Sequence, residues 1–268
     1  MYKMIVSDLD GTLLNNNKGI SHKNIEFIKR AVEKGIYFVI ATGRIYKSAF
    51  LYSKLLEVGV DIASCNGAYT VDKNNKVILS ETIGNEELIK IEEIANKYNQ
   101  FYYFYDKEDI YTKYDDSKER DFSKYFPKSK DPIKLKHYKD IRELIDNNIP
   151  IYKSLYVSME DDILENIEYE FEDIGDILVT SSSSNNVEVN KMGVSKGRAV
   201  ELLAKKYNIK PEEIITIGDN RNDISMLTYA GLGVAVGNSG KDIKDISDYV
   251  TVSNEEDAIA QIIEEFIF

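Results

Sequence analysis

The 268 residues are enough for one large domain or two smaller ones, and a composition 43% hydrophobic and 30% charged is that of an ordinary globular chain. A formal net charge of −12 disfavours nucleic acid and anionic membranes as partners, and disfavours small anionic substrates unless a local cation offsets it. The single cysteine, Cys65, rules out an intrachain disulfide and fits a reducing cytoplasm, and neither a signal peptide nor an apolar run of membrane-spanning length is expected.

In chain order, "YKMIVS" (2–7) predicts a short buried strand. "SHKNIEFIKRAVEKG" (21–35) predicts a helix N-capped by Ser21, with Ile25, Ile28, Ala31 and Val32 on one face and Gly35 as its stop. "IYFVIAT" (36–42) is a second buried strand, 46–58 a second helix and "DIASCNG" (61–67) a third strand or strand end. "AYTVDKNNKVIL" (68–79) is a hairpin turning near Asn74 and Asn75. Near-continuous apolar strands joined by helices argue for parallel pairing with helices on both faces.

The pattern then changes. Residues 85–98 form an amphipathic helix, and 101–114 two strands around a turn at Asp106 to Asp109. The stretch 115–150 is polar, holds Pro127, Pro132 and Pro150, and has a helix at 138–147. A strand at 152–158, a helix at 160–171 and a hairpin at 176–190, turning at Asn185 and Asn186, complete an α+β module. The serines at 181–184 read as a solvated loop. After Asn190 the alternation returns: helix 195–208, strand 213–219, helix 222–229, strand 231–236, a short helix, strand 248–252 and helix 255–266. The fold class is α/β: a doubly wound, mainly parallel, Rossmann-like sheet core from 1–82 and 188–268, with an inserted α+β cap from 83–187.

In an open parallel sheet, ligands bind beyond the carboxyl ends of the strands. Asp8 and Asp10 follow the first strand; Thr42, Gly43 and Arg44 follow the second; Asp219, Asn220, Asn222 and Asp223 follow the apolar strand at 213–217; Lys196 opens the helix before it. Carboxylates so gathered cannot all ionise without a cation, and Mg²⁺ with oxygen ligands and a phosphate for company suits them. Lys196 and the Thr42 hydroxyl would hold phosphate oxygens. Asp8 is placed as a nucleophile, and Asp10 to protonate the leaving alcohol and then activate water. Gly11 would let the chain turn sharply. Taken singly, each has a plainer reading: a strand-end turn for Asp8 and Asp10, a turn into a helix for Thr42 and Gly43, a solvated side chain for Lys196, and a helix first-turn residue for Asp223. Cys65 reads as a small buried residue, and His22 and His137 as surface residues. Tyr102, Tyr103 and Tyr105 read as packing of the inserted sheet, with a substrate-facing role for one of them as the alternative.

"DLDGTLL" (8–14), "ATGR" (41–44), "GVSKG" (193–197) and "GDNRNDISML" (218–227) stand in the order and spacing of four motifs, and "NGA" (66–68) lies between the second and third. In these the chain resembles the haloacid dehalogenase-like phosphohydrolases, in the Cof-type branch with a large inserted α/β cap. The resemblance covers about 1–80 and 188–268. It implies that Asp8 is the nucleophile and a Mg²⁺ ligand, Asp10 the general acid/base and a ligand through its carbonyl, and Asp219 the third ligand. It implies that Asp223 holds metal waters or Lys196, that Thr42 and Lys196 bind the phosphoryl group, and that Gly43, Arg44 and Asn222 meet the substrate. The implied activity is Mg²⁺-dependent hydrolysis of small phosphorylated metabolites, led by sugar phosphates, in the cytoplasm, by a monomer or weak homo-oligomer with no nucleic-acid or membrane partner. Flavin mononucleotide and pyridoxal phosphate are rival substrates, and a phosphomutase is a rival enzyme. A non-catalytic binding protein would need loss of Asp8, Asp10, Lys196 or Asp219, and all are present.

Overall fold

The computed structural model describes residues 1–98, 101–113, 133–158, 160–182 and 185–268. The chain first makes β1 (Met4–Ser7), α1 (His22–Glu33), β2 (Tyr37–Ala41), α2 (Tyr46–Leu55), β3 (Asp61–Ser64), β4 (Tyr69–Val71) and β5 (Val77–Ser80). Next come α3 (Asn85–Tyr98), β6 (Phe101–Tyr105), β7 (Ile110–Thr112), β8 (Leu135–His137), α4 (Ile141–Asp146), β9 (Lys153–Val157), α5 (Asp161–Glu172), β10 (Ile177–Thr180) and β11 (Asn186–Lys191). It ends with α6 (Lys196–Tyr207), β12 (Ile214–Gly218), α7 (Ile224–Leu227), β13 (Leu232–Ala235), α8 (Lys241–Ile246), β14 (Tyr249–Val250) and α9 (Ala258–Phe266).

The first sheet has the order β14-β13-β12-β1-β2-β3-β4-β5, parallel from β14 to β3 and antiparallel at β3-β4-β5. Strand β1 is buried along its length, with Met4, Ile5 and Val6 apolar, because both its faces are covered. Met4 and Val6 pack with Ala199, Val200 and Leu203 of α6. Ile5 points the other way, to Phe27 and Ile28 of α1 and Ile259, Ile262 and Ile263 of α9. Ser21 caps α1 as expected, its side chain accepting from the Asn24 N–H at 3.1 Å. The chain steps from β1 outward to β2 early and to β12 late, so a switch of direction lies beside β1. Ser7 pairs with both Ile40 and Ile217, which brings the residues that follow all three strands to one rim.

The second sheet has the order β10-β11-β9-β6-β7-β8, antiparallel except for β7 with β8. Its period-two alternation separates two faces. Tyr102, Phe104, Tyr156, Val187 and Val189 pack on α3, α4 and α5. Tyr103 and Tyr105 instead join the apolar cluster of the first sheet, and Leu155 and Val157 pack against it. That face therefore looks at the rim that carries Asp8.

Several expectations shift. Strand β8 was absent from the sequence reading, because Leu-Lys-His is too short and polar to alternate, and the helix expected at 138–147 is confined to Ile141–Asp146. Of the two asparagines expected at the hairpin turn, Asn185 lies in a turn between β10 and β11, whereas Asn186 already belongs to β11 and pairs with Val157. The strand expected to 67 stops at Ser64, where Cys65, Asn66 and Gly67 take left-handed φ values of 49°, 59° and 96°. The helix expected at 222–229 opens as a 3₁₀ turn at Arg221–Asp223. The polar stretch from 115 to 132, with Pro127 and Pro132, and Ser183 and Ser184 lie outside the described residues. Among the described residues no helix is long and apolar enough to cross a membrane.

Candidate active site

Asp8 leaves β1 with its N–H bonded to Ile217 O at 3.0 Å, tied to the neighbouring strand at its last turn. Lys196 is the first residue of α6, whose N-cap Ser195 accepts from the Arg198 N–H at 3.1 Å. From there the lysine Nζ reaches Asp8 Oδ1 and Asp223 Oδ1, each at 2.6 Å, with no exposed side-chain surface. Asp223 also accepts from the N–H groups of Asp219 and Asn220 at 2.9 and 3.0 Å, which fixes the loop after β12. Thr12 donates to Asp219 Oδ1 at 2.8 Å and ties that loop to the one after β1. Thr42, Gly43 and Arg44 follow β2 into the same cleft, where the Arg44 N–H donates to Thr42 Oγ1 at 3.1 Å.

Asp8, Asp219 and Asp223 each bring a carboxylate oxygen within 4.8 Å of the others. Burial, and then the charges of Asp223, Asp219 and Asp10, raise the Asp8 carboxyl well above its ordinary value in spite of Lys196. Burial and Asp223 push Asp219 up to about 7. Both shifts record first the cost of burying a carboxylate and then that of placing others beside it without enough positive charge. Among the described residues, Lys196 takes Asp8 Oδ1 and Thr12 takes Asp219 Oδ1, which leaves the second oxygen of each without a donor. A hard divalent cation suits such an all-oxygen set and would relieve both shifts, so the residues fit Mg²⁺. The carboxylate of Asp10 belongs to a different group. It takes Arg44 Nε and Nη2 at 2.5 and 2.7 Å and Lys18 Nζ at 2.9 Å. Burial works against its charge, but Arg44 and Lys18 prevail and hold it well below the usual carboxylate range. Cys65 is buried, as expected, and burial pushes its thiol up to about 12.

The cleft has a volume of about 370 Å³, and its far wall comes from the second sheet. Lys153 and Glu188 line it and Asn190 is buried beside them, and none of the three belongs to the sequence motifs. Lys153 Nζ donates to Glu188 Oε1 at 2.9 Å and to Gly43 O at 2.6 Å. Asn66 Nδ2 donates to Glu188 Oε2 at 2.7 Å and to Asn190 Oδ1 at 2.9 Å, and its own Oδ1 accepts from Asn222 Nδ2 at 3.2 Å. The signal lay in "YKSLYVS" and "VEVN": a charge between buried neighbours in a strand marks a face turned to something polar. Ser182 corrects the solvated-loop reading, since its hydroxyl donates to Glu188 Oε1 at 2.7 Å and its carbonyl accepts from Asn220 Nδ2 at 2.8 Å. Tyr105 lines the cleft, whereas Tyr102 and Tyr103 do not.

The sequence model of haloacid dehalogenase-like hydrolases matches residues 5–263. The chain is 29% identical to the 5-amino-6-(5-phospho-D-ribitylamino)uracil phosphatase YcsE of Bacillus subtilis, across 99% of this chain and 96% of that protein. It is 31% identical to the phosphatase YwpJ of the same organism, across 99% and 100%. A solved haloacid dehalogenase-like hydrolase from B. subtilis superposes with a TM-score of 0.89 at 30% identity, covering 99% of this chain and 100% of that one. A family match that runs through both sheets, and through every loop that brings a carboxylate to the rim, places this chain among the haloacid dehalogenase-like hydrolases.

Proposed function

We propose that this phosphatase hydrolyses phosphate monoesters of small sugars or polyols through an aspartyl-phosphate on Asp8, with Mg²⁺ bound by Asp8, Asp219 and the carbonyl of Asp10. The observation that carries the reading is the Lys196 ammonium held 2.6 Å from both Asp8 and Asp223 beside an under-neutralised Asp219. When bound, the cation supplies positive charge to the phosphoryl oxygens. Asp8 attacks phosphorus, the P–O ester bond breaks, and the leaving oxygen takes a proton from Asp10. Water then attacks the same phosphorus, giving its proton to Asp10 and freeing Asp8. Lys196 and Thr42 hold phosphoryl oxygens, and Asp223 keeps Lys196 in place. Arg44 grips Asp10 as a carboxylate, the form that activates water; donation to the leaving group requires that grip to loosen and Asp10 to take up a proton from solvent as the ester binds. The inserted module expected over 83–187, which carries the second sheet and whose last strand β11 runs on to Lys191, serves as the cap over this chemistry. The named substrate of YcsE is itself a phosphorylated ribityl compound, which supports the polyol class.

A panel of phosphomonoesters assayed for phosphate release with and without Mg²⁺ tests this. Release from sugar and polyol phosphates is expected, falling about 1000-fold or more in Asp8→Asn. Release that survives in Asp8→Asn removes Asp8 as nucleophile. Net transfer that needs an added bisphosphate would make the enzyme a mutase.

A further inference from the structure

We propose that the Lys153–Glu188 ion pair selects the leaving group, accepting a neutral, hydroxyl-bearing one and rejecting one that carries a second anion. The proposal rests on the phosphatase reading above and specifies its substrate. The pair is contributed by two neighbouring strands of the second sheet, β9 and β11, and both residues line the cleft. Lys153 and Glu188 are only 4% and 2% exposed, so the charges act in a medium far less screening than water. Through Gly43 O the pair meets the first sheet one residue from Thr42, next to the phosphoryl site. A Cβ at Gly43 would sit at ordinary contact distance from Lys153 Nζ, 3.4 Å, but would crowd Asn66 Oδ1 at 3.1 Å.

The hydrogen-bond inventory matches a hydroxyl. Lys153 uses two N–H groups on Gly43 O and Glu188 Oε1 and keeps a third. Glu188 accepts from Lys153, Ser182 and Asn66, which leaves one of a carboxylate's roughly four acceptor positions. One donor and one acceptor side by side read an alcohol. Leu155 and Val157, on the same face of β9, supply an apolar wall for the C–H side of a sugar or polyol.

The charge inventory excludes a second anion. Lys196 is committed to Asp8 and Asp223, Arg44 and Lys18 to Asp10, and Lys153 to Glu188. Each cation lining the cleft among the described residues already holds a carboxylate, Arg44 and Lys18 sharing Asp10, so a carboxylate or second phosphate placed against the second sheet would meet the Glu188 charge with only its partner Lys153 beside it. An unpaired anion in such a place is strongly disfavoured, and that repulsion is a means of specificity.

Calorimetric binding of sorbitol 6-phosphate and 6-phosphogluconate to the Asp8→Asn protein in Mg²⁺ tests this, because the two esters differ only in an alcohol against a carboxylate at the far end. The neutral ester is expected to bind about tenfold tighter or better. In Asp8→Asn/Glu188→Gln the preference should collapse to about threefold or less, by tighter binding of the carboxylate ester. In the active enzyme the same change should lower KM for 6-phosphogluconate with little change in kcat. Equal affinities of the two esters with Glu188 intact, a comparison that needs no cap variant to fold, overturn the proposal alone. So does a preference that Glu188→Gln leaves unchanged. Binding of neither ester overturns the phosphatase reading along with it.

Discussion

Gly11 sits at φ +81°, and a Cβ on it would come 2.5 Å from Asp219 Oδ2, the oxygen of that carboxylate not bonded to Thr12. Gly11→Ala therefore combines a left-handed backbone that alanine resists with a clash against a carboxylate held in place by Thr12. A loss of about 1–3 kcal/mol in urea unfolding is expected, with a weaker response to Mg²⁺. Unchanged stability and Mg²⁺ response would show that Asp219 has room to move. At this scale the sequence told much. A sharp turn at Gly11 was legible, because a turn is local. That the turn abuts Asp219 was not, because it depends on β12 lying beside β1. The same holds for Asp10: its position after β1 was readable, but its clamp by Arg44 and Lys18 joins side chains from separate loops.

The strands β9 and β11 carry a charge pair whose worth depends on both members. In Lys153→Met, Glu188 stays buried without its cation, and a loss of about 3–5 kcal/mol at neutral pH is expected; Lys153→Met/Glu188→Gln should lose markedly less. The pH dependence separates this from a simple packing defect. Burial works to raise the Glu188 carboxyl, but Lys153 and the bonds from Asn66, Lys153 and Ser182 leave it below its ordinary value. Its contribution is thus complete above the unfolded glutamate value of about 4.3 and is lost as pH falls through the lower folded one. Without Lys153, burial dominates and the folded value rises, so Lys153→Met should recover part of its lost stability between about pH 7 and pH 5. Denaturant midpoints across that range decide it, and a pH-independent loss would refute the electrostatic account. The sequence pattern found these strands through alternation, yet alternation does not say which face meets helices and which meets the cleft. It also missed β8, which owes its existence to pairing with β7 and not to its own residues.

Over the whole molecule, a chain of net charge −12 brings Asp8, Asp10, Asp219 and Asp223 to one rim, and the sheet order makes that convergence unavoidable once β1 lies between β2 and β12. The order follows from buried strands alternating with helices, which is why the core and the rim residues were legible while the face of the second sheet was not. The same convergence makes stability depend on metal and pH together. The folded value of Asp219, about 7, lies above the unfolded aspartate value of about 3.9. Without metal, its contribution is present below about pH 4 and is lost as pH rises through about 7, where a buried and under-neutralised carboxylate must ionise. A divalent cation binds the ionised form and reverses that loss, so stabilisation by Mg²⁺ should grow with pH. At a concentration about 100 times its Kd, Mg²⁺ would add about 2.7 kcal/mol where the site is ionised, or roughly 5 °C or more in Tm. Thermal melts in EDTA and in Mg²⁺ should show that shift at about pH 8 and little of it at about pH 5.5. Asp219→Asn should be less pH-sensitive in EDTA and should respond weakly to Mg²⁺ at either pH. An equal Mg²⁺ shift at both pH values, or a full shift in Asp219→Asn, would place the cation somewhere other than between Asp8 and Asp219.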